Sequence, residues 1–208
     1  MMEQKVTRIY QCELRALENE DYGTYVEGTP IVFSAEADLG YFKEIIDQGA
    51  LDNTDLRDVP LFVNHNMDMI PLARSRRNNA NSTMQLSPNE NGMDFRANLD
   101  IENNSTAKEL YSAITRGDID KMSFAFTVAE DHYDRASHTR VIERIAKVYD
   151  ISPVSFPANP GTELSARDWF DGVIELEKAE RLERERQEQE KRKLQLKIRI
   201  GGYLNGDH

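Results

Sequence analysis

A histidine, a serine and an acid stand in three short segments, Asn64-His65-Asn66, Met122-Ser123-Phe124-Ala125-Phe126 and Asp150-Ile151-Ser152-Pro153-Val154-Ser155. Together these residue types can make a nucleophile. A serine hydroxyl attacks a carbonyl at neutral pH only when an imidazole takes its proton, and the imidazole needs a third group to fix its tautomer. The chemistry to which they point is that of a serine hydrolase. The chain holds many other serines and carboxylates, so residue types alone do not single these three out; a triad is defined by geometry.

The elements that must position them are mostly strands. Met93, Phe95, Ala97, Leu99 and Ile101 alternate with Asp94, Arg96, Asn98 and Asp100, the period of a half-buried strand. Asn91-Gly92 before it is a hairpin signal, with Thr83 to Leu86 as the partner arm. Val6, Tyr10, Cys12 and Leu14 keep the same period, although Arg8 and Ile9 fall on the wrong faces for it. In the serine segment Met122, Phe124, Phe126 and Val128 alternate, so Ser123, Ala125 and Thr127 point to the opposite face, off the core side. Helices are expected from Asp38 to Gln48, with Leu39, Phe42, Ile45 and Ile46 on one stripe, and from a capping box at Thr106-Ala107-Lys108-Glu109 to Gly117. The pattern favours a β-barrel or strongly curved sheet with a few covering helices; an open α+β sheet is the competitor.

Near Asp171-Gly172 the chain changes character. Residues 175 to 193 are largely charged or Gln, with Glu177 and Arg181, Glu180 and Arg184, and Glu188 and Arg192 at i,i+4 spacing, as on a solvated helix. Leu194, Leu196, Ile198 and Ile200 then alternate with polar residues like a strand. The expected organisation is one domain over residues 1–171 and a charged tail over 172–208.

With 208 residues and 39% apolar content, the chain can bury one good core. A net charge of −11 argues against general nucleic-acid binding, and the cluster at Arg74, Arg76 and Arg77 reads as a solvated loop. No apolar run approaches a bilayer span, so no membrane partner is expected. The single cysteine, Cys12, excludes an internal disulfide and fits a reducing compartment. His132 and His138, with Asp131 and Asp134, read as an acidic turn rather than a metal site; neither metal nor organic cofactor is expected.

Four blocks of the chain resemble, in order, the prohead proteases of tailed double-stranded DNA phages, distant relatives of herpesvirus assemblin. They are Asp47-Gln48-Gly49-Ala50, Asn64-His65-Asn66, Arg116 through Phe126 and Asp150 through Pro160, and the resemblance spans residues 5 to 168. It implies a herpesvirus-protease-like β-barrel of antiparallel strands, with Ser123 as nucleophile, His65 as general base and Asp150 as orienting acid. Glu143 lies on the same incoming segment and is the alternative third member. Two departures bear on the oxyanion hole: Ala125 stands where the family usually has glycine, and Leu72-Ala73-Arg74 where it often has Leu-Gly-Arg. The backbone at Arg74 is a place to look for oxyanion donors.

The resemblance further implies a maturation endopeptidase acting inside the procapsid in the host cytoplasm. Its substrates would be the scaffolding protein, the N-terminal part of the major capsid protein and itself, with a homodimer expected by analogy with the herpesvirus relatives. One rival is a capsid assembly or scaffolding protein that keeps the fold without activity. Another is an ordinary esterase or peptidase, although the chain has no Gly-x-Ser-x-Gly elbow.

Overall fold

The structure is a computed structural model that describes residues 5–11, 14–155 and 160–204. In chain order the elements are β1 (Lys5–Gln11), β2 (Leu14–Asn19), β3 (Gly23–Val32), β4 (Ala37–Asp38), β5 (Lys43–Ile46), β6 (Asp58–Leu61), β7 (Ala73–Arg76), β8 (Met84–Asn89), β9 (Gly92–Asn98), α1 (Ser105–Thr115), β10 (Lys121–Asp134), β11 (Thr139–Val154) and α2 (Pro160–Leu204). Two compact units divide the chain, residues 1–165 and 166–208.

Among the described residues, all the strands lie in the first unit. A seven-stranded sheet runs β1-β10-β11-β5-β4, with β6 joining β11 to β7; a four-stranded sheet runs β2-β3-β9-β8. The fold is mostly β with a C-terminal helix, and both sheets are open. The closed β-barrel expected from the pattern and the resemblance is not formed by the described strands. The alternating residues do fill an interior: Val26, Ile31, Met93 and Phe95 from the smaller sheet join Phe124, Phe126, Ile145 and Ile151 from the larger, with Leu110 and Ile114 of α1. Burial of these side chains is the main favourable term holding the unit together.

The β8–β9 hairpin forms with the expected partner arm, and Gly92 at its turn has φ +150. Only glycine fits there, because a Cβ would lie 1.9 Å from the Ile31 carbonyl oxygen of β3. The N-terminal segment, read as one strand, is two, β1 against β10 and β2 against β3. Helix α1 begins earlier than the capping box placed it. The Asn104 side chain accepts from the Thr106 and Ala107 amides, so asparagine is the N-cap. The helix stops where expected, at Gly117, with φ +77.

Two further readings are corrected. The stretch from Asp38 to Gln48 is not a helix: it is strand β4, a turn and strand β5, whose residues Lys43 to Ile46 pair in parallel with Thr139 to Ile142. The apolar stripe was misleading because the buried member between Phe42 and Ile46 is a charge, Glu44, which needs period two to face the sheet interior. Its carboxylate is taken up by arginines on neighbouring strands. Arg8 of β1 binds Glu44 at 2.5 and 3.0 Å, Arg140 of β11 binds it at 3.1 Å, and Arg140 also reaches Asp131 of β10 at 2.5 Å. Arg8 is 1% exposed, so its position on the face of Val6 follows from pairing. The second correction is the tail. Residues 194–200 continue α2 instead of forming a strand, and Leu194 and Leu196 stand 60% exposed on it. Alternation without a partner strand leaves backbone groups unpaired, whereas a helix pairs them locally.

Candidate active site

Strands β10 and β11 bring two of the three segments together by register. Ser123 is the cross-strand partner of Ser152, and Ala125 of Asp150, so these four residues share one face of the hairpin. The third segment arrives from β6. After Leu61 the chain follows the end of β11, with the Phe62 amide on the Ile151 carbonyl at 3.1 Å and the Asn64 amide on the Pro153 carbonyl at 3.0 Å.

At Asn64 and His65 the backbone turns left-handed, with φ +53 and +55. Such a conformation disfavours residues with a side chain, though asparagine least, and it persists only when its surroundings fix it. Here β11 does so. Asn64 Oδ1 accepts from the Ser155 amide at 2.9 Å, Asn64 Nδ2 lies 3.3 Å from Ser155 Oγ, and the His65 amide donates to Ser152 Oγ at 3.3 Å. The turn aims the imidazole between the strands: His65 Nδ1 is 2.5 Å from Asp150 Oδ1, and Nε2 is 2.6 Å from Ser123 Oγ. The three residues singled out by sequence thus meet in one hydrogen-bonded row.

Surroundings favour this chemistry. Asp150 is 1% exposed and Ser123 is fully buried. A carboxylate on Nδ1 holds the imidazole with Nε2 free to accept a proton, and low polarity strengthens both contacts. The Ser123 hydroxyl has a second acceptor, the Arg8 carbonyl of β1 at 2.9 Å. One hydroxyl proton cannot serve both. With the proton on the Arg8 side, Oγ and the unprotonated Nε2 meet without a hydrogen bond; with the proton toward His65, the hydroxyl donates to Nε2 and is set to be deprotonated.

The alternative acid is elsewhere. Glu143 Oε1 lies 2.9 Å from His132 Nδ1 on the exposed part of the β10–β11 hairpin. His138 Nδ1 is 2.9 Å from the Tyr133 hydroxyl, so the two histidines have separate partners. The Arg74 amide donates to Thr83 Oγ1 at 2.9 Å and its guanidinium grips Asp58, which leaves that amide no free donor for an oxyanion. Ala125 lies within β10 and is not among the residues of positive φ, so alanine is unstrained there. Residues 156–159, the end of the last block, lie outside the described residues, as does Cys12.

Sequence reasoning missed Asn64, Ser152 and Ser155 as parts of the site. Parity could have found Ser152, which on a strand shares a face with Asp150 two residues earlier.

A hydroxyl, an imidazole and a carboxylate joined in that order on a sheet are the parts of a serine-hydrolase triad. The chain matches the Caudovirus prohead serine protease family over residues 10–171 and belongs to that family, a family of serine proteases. It is similar to the prohead protease of Enterobacteria phage HK97, 28% identical over 168 residues covering 73% of this chain and 71% of the relative. Among solved structures it is similar to the bacteriophage T4 capsid assembly protease, with a TM-score of 0.39 and 12% identity over 72% of this chain and 98% of that one.

Proposed function

We propose that this protein is a prohead maturation endopeptidase in which Ser123, His65 and Asp150 are the catalytic residues. The observation that carries the reading is the row in which His65 stands 2.6 Å from Ser123 and 2.5 Å from Asp150. His65 Nε2 takes the Ser123 proton as Oγ bonds to a peptide carbonyl carbon. Asp150 accepts from Nδ1–H and stabilises the imidazolium. Nε2–H then protonates the leaving amine as the C–N bond breaks, giving an acyl-enzyme on Ser123. Water, deprotonated by His65, attacks the acyl carbon, and Oγ leaves with the proton returned from Nε2.

The substrates of this reading are the scaffolding protein, the N-terminal part of the major capsid protein and the protease itself, cut inside the procapsid in the host. Enzyme and substrates enclosed in one shell meet at high effective concentration, so tight intrinsic affinity is not required. Among the described residues no helix is long and apolar enough to cross a membrane.

One observation favours a second reading, an inactive assembly factor: Ser123 is fully buried, with its hydroxyl on the Arg8 carbonyl. Co-expression with the capsid and scaffolding partners, as wild type and as Ser123→Ala, separates the two by intact mass. Truncations at fixed sites that vanish in the variant support the protease; full-length partners in both support the assembly factor.

A further inference from the structure

Ser152 touches both members of the His65–Asp150 pair. Its hydroxyl donates to Asp150 Oδ1 at 3.1 Å and accepts from the His65 amide at 3.3 Å, and the residue is fully buried. We propose that Ser152 is a positioning residue of the site, one that sets the angle of the Asp150 carboxylate and the place of the His65 backbone at once. The inference rests on the triad reading only for its effect on rate.

The chemistry of a single hydroxyl suits this task. Its one proton goes to Asp150 and its lone pairs face the His65 amide, so both bonds form together without competition. Asp150 Oδ1 then has donors from two directions, Ser152 Oγ and His65 Nδ1, which limits rotation of the carboxylate. On the other side, His65 sits at φ +55, where a side-chain-bearing residue stays only if held. The Ser152 hydroxyl is what its amide binds. Ser152 is also the cross-strand partner of Ser123, so the same residue sits where β10, β11 and the His65 loop converge. Its action is through His65 and Asp150.

The test uses the full chain as Ser152→Ala, Ser152→Cys and Ser152→Thr, with two readouts. Proton NMR follows the far-downfield resonance of the His65 Nδ1–H bonded to Asp150, assigned by its loss in His65→Gln. Cleavage of co-purified capsid and scaffolding precursors gives kcat and KM, with Ser123→Ala as background. The expected result is that alanine lowers kcat about tenfold, the loss of one hydrogen bond to a charged group, with KM within about twofold. The downfield resonance should move or broaden. Cysteine, which keeps the volume with a weak donor, should repeat the spectral change, and threonine, which keeps the hydroxyl, should restore both readouts. Wild-type rate and resonance in folded alanine or cysteine variants would overturn the inference. A wild type that leaves every precursor uncleaved overturns the protease reading alone, because the resonance still decides the role of Ser152.

Discussion

At the scale of single residues, the decisive fact is that one acid and not another reaches His65. Asp150 lies against Nδ1 in a buried place, while Glu143 is half exposed and occupied with His132. Asp150→Asn keeps the shape but removes the charge that favours the productive tautomer, so kcat should fall by about three to four orders of magnitude, as for other triads. Glu143→Gln should stay near wild type. The reverse ranking in a precursor-cleavage assay would exchange the two roles. Asn64 supports a second prediction. Its side chain clamps Ser155 while its backbone holds φ +53, so Asn64→Ala loses both the clamp and the residue type that tolerates that conformation. Denaturant unfolding should show a loss of about 1–3 kcal/mol. Asn64→Gly should cost less, since it relieves the backbone. If glycine is as destabilising as alanine, the side-chain clamp alone explains the effect.

Among the elements, strand β1 buries a charged side chain, Arg8, beside the apolar Val6. Arg8 and Glu44 are both buried, and Arg140 and Asp131 extend the pairing across β1, β10, β11 and β5. Arg8→Ala leaves Glu44 buried with fewer partners and should destabilise by about 3–5 kcal/mol, the range for breaking a buried pair. A change below 1 kcal/mol in urea unfolding would mean that Arg140 alone satisfies Glu44. The β6–β7 hairpin carries a weaker, exposed pair. The Arg74 guanidinium beside Asp58 holds its carboxyl below the usual carboxylate range. A depressed folded-state pKa contributes stability that is present above the unfolded value and fades as pH falls through the folded one. Below about pH 4 the stability curve of Asp58→Asn should therefore be flatter than that of wild type, with a small difference that salt reduces.

Legibility in the sequence followed from how local each cause was. Alternation marked β9 through Met93, Phe95 and Ala97 and the first half of β10 through Met122, Phe124 and Phe126, all buried and apolar, and α1 was visible because its stripe and its stop are local. Strand β5 was not legible, since Glu44 is buried only by virtue of Arg8 and Arg140, which are remote in sequence. For the same reason Arg8 looked misplaced. His65, Ser123 and Asp150 were legible as residue types, and the roles proposed for them came from the resemblance. What no pattern displayed was the loop geometry, for the left-handed Asn64-His65 turn depends on bonds to β11 that register alone creates.

On the scale of the whole molecule, a compact β unit is followed by a helical one of a different character. Residues 166–208 belong to α2 and beyond, where Arg167 and Asp171, Arg181 and Glu185, and Arg192 and Glu188 pair at i,i+4 on exposed faces. Such pairs support a helix weakly and leave it solvated. The chain carries a net charge of −11, and the described side chains of this helix from Glu175 to Leu196 are mostly exposed and charged; we propose that it serves as a tether to a scaffold or shell. A chain ending at residue 171 should then lose placement and not chemistry. Mixed with purified precursors at high concentration, it should cleave in a Ser123-dependent way at close to the full-length rate. Co-expressed with the capsid partners, it should be missing from sedimented proheads and leave their proteins uncut, because the gain in effective concentration from enclosure is lost. Incorporation equal to that of the full chain would show that the β unit carries its own address, and loss of cleavage in the mixture would show that the helix is needed to build the active form.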